Sequence, residues 1–201
     1  MLSSIALSLA FVLQRAEAAQ GAGPNTSADS SSSNVVAMLV LGEMDSGLVQ
    51  TVSTWLKENI EPKPVIVKRD GTVTDGASIH SVLTAATECR KRDVICVLVL
   101  ARSAQAVSIK NASMVTNSIA VVYPDALRPQ NGKSDVFAHR VETESLKAVM
   151  LAVGLPVCPF PLCAMSDFAD EAELDGKSRN LCPPCHEKMK RLLRKQIGSG
   201  R

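Results

Sequence analysis

The run "VICVLVLA" at residues 94–101 is apolar at every position. A strand with one face in water would alternate apolar and polar residues, so an unbroken run of this length calls for cover on both faces. "VVAMLVLG" at 35–42 reads the same way. Shorter strand-length runs follow in "PVIVKR" at 64–69 and "SIAVVY" at 118–123. Helical spacing fills the gaps between them. Leu48, Val52, Trp55 and Leu56 share one face over 45–60, and residues 77–92 form a second helix with a basic last turn. Val141, Leu146, Val149, Met150 and Val153 mark a third helix over 137–153. Strands alternating with helices predict an α/β layer with a mixed, mostly parallel sheet.

The 201 residues, 46% of them hydrophobic, suit one domain, which we place at 34–195. Lys and Arg number 22 against 20 Asp and Glu, and aromatics make up 3%, so neither charge nor stacking surface points to nucleic acid. Residues 1–33 are set apart as a leader and Ser-rich linker, and 196–201 as a tail. The apolar run at 4–13, followed by Ala16-Glu17-Ala18, has the form of a cleavable signal. No Lys or Arg precedes it, which fits a disordered or amphipathic leader instead. Localisation therefore stands open between cytoplasm and secretion. The run is too short for a membrane-spanning helix. Asn25 and Asn111 match the glycosylation acceptor pattern, which matters only for an exported chain.

The last third changes character: residues 154–185 carry four cysteines and five prolines with little periodicity. Cys158 and Cys163 form one close pair, Cys182 and Cys185 another. Two such pairs joined by a loop are the usual frame of a four-thiolate zinc site, closed to water and hence structural. Soft sulfur ligands favour zinc over magnesium or calcium. Two disulfides are the alternative in an oxidising compartment. We assign Cys158, Cys163, Cys182 and Cys185 as metal ligands in a zinc subdomain spanning 158–195. Cys89 and Cys96, at a helix end and inside a strand, read as buried free thiols.

"KAVMLAVGLPVC" at 147–158 and these cysteines together resemble the archaemetzincins, zinc metallopeptidases with the motif HExxHxxGxxHC, a C-x-M element and a closing CxxC. Gly154 falls on the motif glycine, Cys158 and Cys163 on the first two cysteines, Met165 on the methionine of the Met-turn, and Cys182 and Cys185 on the closing pair. The resemblance covers about residues 35–193 and implies a metzincin-like sheet with one structural zinc ion. It fails at the chemistry. Lys147 stands at the first histidine, Ala148 at the glutamate, Leu151 at the second histidine and Val157 at the third. Residues 147 and 151 lie one helical turn apart, where the family places two ligands. Leu and Val have no lone pair, an ammonium repels a dication, and Ala148 cannot act as a general base. No catalytic residue and no catalytic zinc are therefore expected, and Leu151 and Val157 are expected to pack where a metal would sit.

Nothing else replaces that chemistry. Ser145 and Lys147 point apart on a helix, Glu142 and Glu144 read as a solvated face, and His80 and His139 are isolated. His186 follows Cys185 and is a candidate surrogate ligand. No phosphate-binding glycine pattern occurs. The basic, amphipathic tail at 187–201 reads as a last helix packed with its cations outward. The expectation is a non-catalytic scaffold that binds peptide or protein, with residues 118–123 as its edge strand. The rivals are an active zinc peptidase and a zinc-ribbon-like module binding polyanions through its tail.

Overall fold

A computed structural model describes residues 35–71, 78–102, 107–130 and 132–199. The leader, the whole of the linker and Asn25 lie outside them.

Among the described residues, five strands form one sheet: β1 (Val35–Leu41), β2 (Val65–Gly71), β3 (Val94–Ala101), β4 (Ser113–Thr116) and β5 (Ile119–Val122). Their spatial order is β2-β1-β3-β5-β4, with β4 antiparallel to β5 and the other neighbours parallel. Five α-helices pack around them: α1 (Ser46–Asn59), α2 (Ile79–Glu88), α3 (Ser134–Ala152), α4 (Glu171–Gly176) and α5 (Pro183–Ser199).

The continuous apolar strands are covered on both sides, as their composition demands. Val36, Met38, Leu98 and Leu100 face a core shared with α1, α3 and the C-terminal segment. Their neighbours Ala37, Leu39, Val97 and Val99 face a smaller core under α2. Asp45 caps α1 by accepting the Leu48 N–H at 3.0 Å, and Ser78 caps α2 through the Ser81 N–H.

Residues 118–123 are not an edge. The strand they contribute, β5, lies between β3 and β4, and among the described residues the edge on that side is β4. Asn117 and Ser118, at φ 46° and 64°, make the two-residue turn joining β4 to β5. Positive φ at both central positions is the turn geometry that matches strand twist.

Helix α3 departs further from expectation. Every residue from Arg140 to Met150 is buried, charged ones included. Glu142 and Glu144, read as a solvated face, are only 4% and 1% exposed. Their partners come from residues 177–179: Arg179 donates to Glu142 at 3.0 Å and Lys177 to Glu144 at 3.1 Å. Arg140, 2% exposed, donates to Asp175 and Glu171 on α4 and to the Leu127 carbonyl. The C-terminal third is thus fastened to α3 by ion pairs as well as by apolar contact.

Gly154 ends α3. Its φ is 95°, its N–H bonds to the Leu151 carbonyl, and the Leu155 N–H reaches back to the Met150 carbonyl at 2.9 Å. This pair of bonds, with Met150 and Leu155 buried in the same core, is a Schellman stop.

Candidate metal centre and the lysine-lined cleft

From Gly154 the chain doubles back under α3. The Cys158 N–H bonds to the Met165 carbonyl, and the Met165 N–H points at Cys163 Sγ, 3.5 Å away. The Ala164 N–H bonds to the Asn180 carbonyl and the Ser178 N–H to the Leu162 carbonyl, which ties this turn to the returning segment at 178–180. Cys182 precedes α5, Cys185 sits in its first turn, and the Cys182 N–H donates to Cys163 Sγ at 3.3 Å. The four Sγ atoms lie within 4.8 Å of one another, with no disulfide among them. Three of these cysteines are buried and Cys182 is half-buried.

Four sulfurs this close cannot all ionise without a cation between them. Burial pushes the Cys163 and Cys185 thiols up. Burial also raises Cys182, but hydrogen bonds from the Cys185 backbone and from the neighbouring thiols outweigh it and leave that group below its ordinary value. The donor set, its compactness and its seclusion fit a tetrahedral zinc ion. Among the described residues, these cysteines are the one cluster of three or more ligand-type side chains that could hold a metal. His186 is not part of it; its Nε2 lies 3.7 Å from Glu61. Cys89 and Cys96 are buried free thiols, and burial raises Cys96 to about 12.

A second feature lies where α3 passes the sheet edge. A cleft of about 310 Å³ opens between β4 and residues 167–168, lined by Lys110, Ser113, Val115, Lys147, Leu151 and Asp167 among others. Lys147, 6% exposed, donates to Asp167 at 2.7 Å and lies 5.7 Å from the Phe168 ring centre. Behind it Lys177 donates to Glu144 and to the Ser166 carbonyl, also against Phe168. The other oxygen of Glu144 accepts from Ser113 Oγ at 3.0 Å. Ser145 Oγ is buried without a hydrogen-bond partner, so Ser145 and Lys147 form no dyad.

The residues in and beside this cleft do not fit a metal. Lys147 brings a positive charge already engaged by Asp167, and Ala148 and Leu151 bring only hydrocarbon. Val157 does not pack here at all. It is 43% exposed and lines an apolar hollow above the cysteines with Phe160.

No protein-family model matches this chain, and no curated protein matches it. Solved structures do. An archaemetzincin from Methanopyrus kandleri is 19% identical, with a TM-score of 0.64, over 80% of this chain and 96% of that one. A zinc-dependent peptidase from Methanocorpusculum labreanum is 14% identical, with a TM-score of 0.59, over 77% of this chain and 99% of its own. An archaemetzincin from Archaeoglobus fulgidus, complexed with malonate, is 15% identical, with a TM-score of 0.54, over 77% and 99%. The chain therefore has an archaemetzincin-like fold: a mixed, mostly parallel sheet with packed helices and a C-terminal cysteine cluster able to hold zinc.

Proposed function

We propose that this chain is a pseudo-peptidase: an archaemetzincin-like scaffold that keeps a structural zinc ion on Cys158, Cys163, Cys182 and Cys185 and has no catalytic metal. The observation that carries this reading is Lys147. It stands where the resemblance places the first zinc-binding histidine, and its ammonium is bonded to Asp167. Ala148, Leu151 and Val157 occupy the remaining positions of that motif, and none offers a ligand atom or a base.

What is left of the site is a binding surface. Just beyond the ends of β4 and β5, the Tyr123 N–H bonds to the Ala112 carbonyl. Antiparallel pairs alternate, so Met114 and Thr116 also bond inward to β5. Ser113 and Val115 then turn their backbone N–H and C=O groups outward, beside the cleft. An unpaired edge of this kind accepts an extended peptide as one more strand, without metal. The zinc-bearing subdomain at 158–195 shapes the opposite wall through Asp167 and Phe168.

Zinc content of the full chain purified without added metal, together with its free thiols and its cleavage of a peptide library, tests this. One zinc, four protected thiols and no cleavage are expected. Two zinc ions with chelator-sensitive cleavage would restore the peptidase. No zinc with oxidised thiols would replace the metal centre by disulfides.

A further inference from the structure

We infer that the cleft beside β4 receives the side-chain carboxylate of an Asp or Glu residue in an extended peptide, seated on the ammonium of Lys147. This rests on the reading of the chain as a peptide-binding scaffold and adds which peptides it selects.

The direction of the side chains comes first. Ser113 sends its hydroxyl to Glu144 on α3, and Val115 packs against the core that contains α3, whereas Met114 faces the core under α2. Directly opposed residues of paired strands point to the same face. A peptide residue opposite Ser113 or Val115 therefore sends its side chain to the α3 face, into the cleft that holds Lys147. A chain-terminal carboxylate would lie along the strand edge instead.

Charge selects what that side chain is. Lys110, Lys147 and Lys177 bring three ammonium groups to this region against the carboxylates of Glu144 and Asp167. Glu144 is fully used, one oxygen by Lys177 and the other by Ser113. Lys147 is used poorly. Its side chain is 8% exposed, yet the carboxylate it holds belongs to a side chain 74% exposed. A buried ammonium is best served by a carboxylate that is also out of water. Asp167 thus acts as the chain's own stand-in for a ligand carboxylate, and a peptide Glu or Asp entering from β4 joins or displaces it.

The test uses the full chain and three dye-labelled octapeptide pools with randomised flanks, read by fluorescence polarisation. One pool has Glu at a central position, one has Gln there, and both are amidated at the C-terminus; the third has Gln and a free C-terminus. The Glu pool is expected to bind about tenfold tighter than the Gln pool, the size of one good charge-assisted contact. Lys147→Met removes that advantage. Asp167→Asn, which deletes the internal competitor, widens it by about threefold. Because Asp167 is largely exposed, that variant decides the matter even if Lys147→Met fails to fold. Equal binding of the Glu and Gln pools overturns the inference and leaves peptide binding standing. A preference for the free C-terminus alone overturns it in favour of chain-end recognition. If no pool binds, the inference and the reading beneath it both fall. An Asp167→Asn variant with unchanged preference also overturns it.

Discussion

Lys177 and Glu144 meet at 3.1 Å in an interior where neither side chain exceeds 2% exposure. Burial holds the Lys177 ammonium below its ordinary value despite the adjacent carboxylate. Such a pair adds little net stability, but half of it is costly, because the remaining charge has no water. Lys177→Met is expected to destabilise the chain by about 3–5 kcal/mol. The double variant Lys177→Met, Glu144→Leu is expected to lose at least about 2 kcal/mol less than the single one. Urea unfolding of these two and of Glu144→Leu settles it, and additive losses would mean the two groups are not coupled.

Gly154 offers a cleaner test, because nothing lies within 4 Å of where its Cβ would be. A clash is absent, and only the backbone at φ 95° resists a side chain. Gly154→Ala should cost about 1–2 kcal/mol, and Gly154→Val more. A loss well beyond that range would mean the glycine does more than stop α3.

The four-cysteine site predicts its own failure. Cys163→Ser removes a proposed ligand whose sulfur also accepts the Cys182 N–H. The variant should retain less than one zinc per chain and show faster amide exchange over residues 158–185, as should the wild type after chelation. Unchanged exchange in both would leave the site without a structural role.

Acid stability should carry the mark of Asp175. Its hydrogen bond to Arg140 holds its carboxyl below the ordinary carboxylate value. As pH falls, the unfolded chain protonates this group first, so the unfolded state binds more protons and stability drops. The contribution is whole above about pH 4 and is lost as pH falls through the depressed value. Asp175→Asn should flatten stability against pH in that window. Parallel curves would show that this ion pair, 40% exposed on the Asp175 side, adds nothing.

How far the sequence reveals all this depends on whether a signal is local. The paired cysteines, the glycine stop and the apolar strands are visible because each is a short pattern whose partner sits a few residues away. Strand β4 is only four residues, "SMVT", with no apolar run to mark it. Its one sign is the Asn117-Ser118 pair between two strand-like stretches, and missing that turn moves the sheet edge to the wrong strand. Glu142 and Glu144 look solvated because charges on a helix usually are. Their partners lie 37 and 33 residues further on, which no helical periodicity can report. Asp167 escapes notice for the same reason, 20 residues from the lysine it meets.

That spacing has a consequence for how the chain is made. A ribosome delivers all five strands by Val122 and the whole of α3 by Ala152, while the acidic and basic groups that α3 needs wait until residues 171–179. Until then Arg140, Glu142 and Glu144 have no counter-charges from that segment, and α3 cannot settle in its final seat without burying charges that only the Leu127 carbonyl and the Ser113 hydroxyl help to satisfy. The sheet can be ready early, but the domain closes only from its C-terminal end. A transcript cut short before Glu171 would therefore yield not a smaller version of this protein but one whose central helix has no place to go.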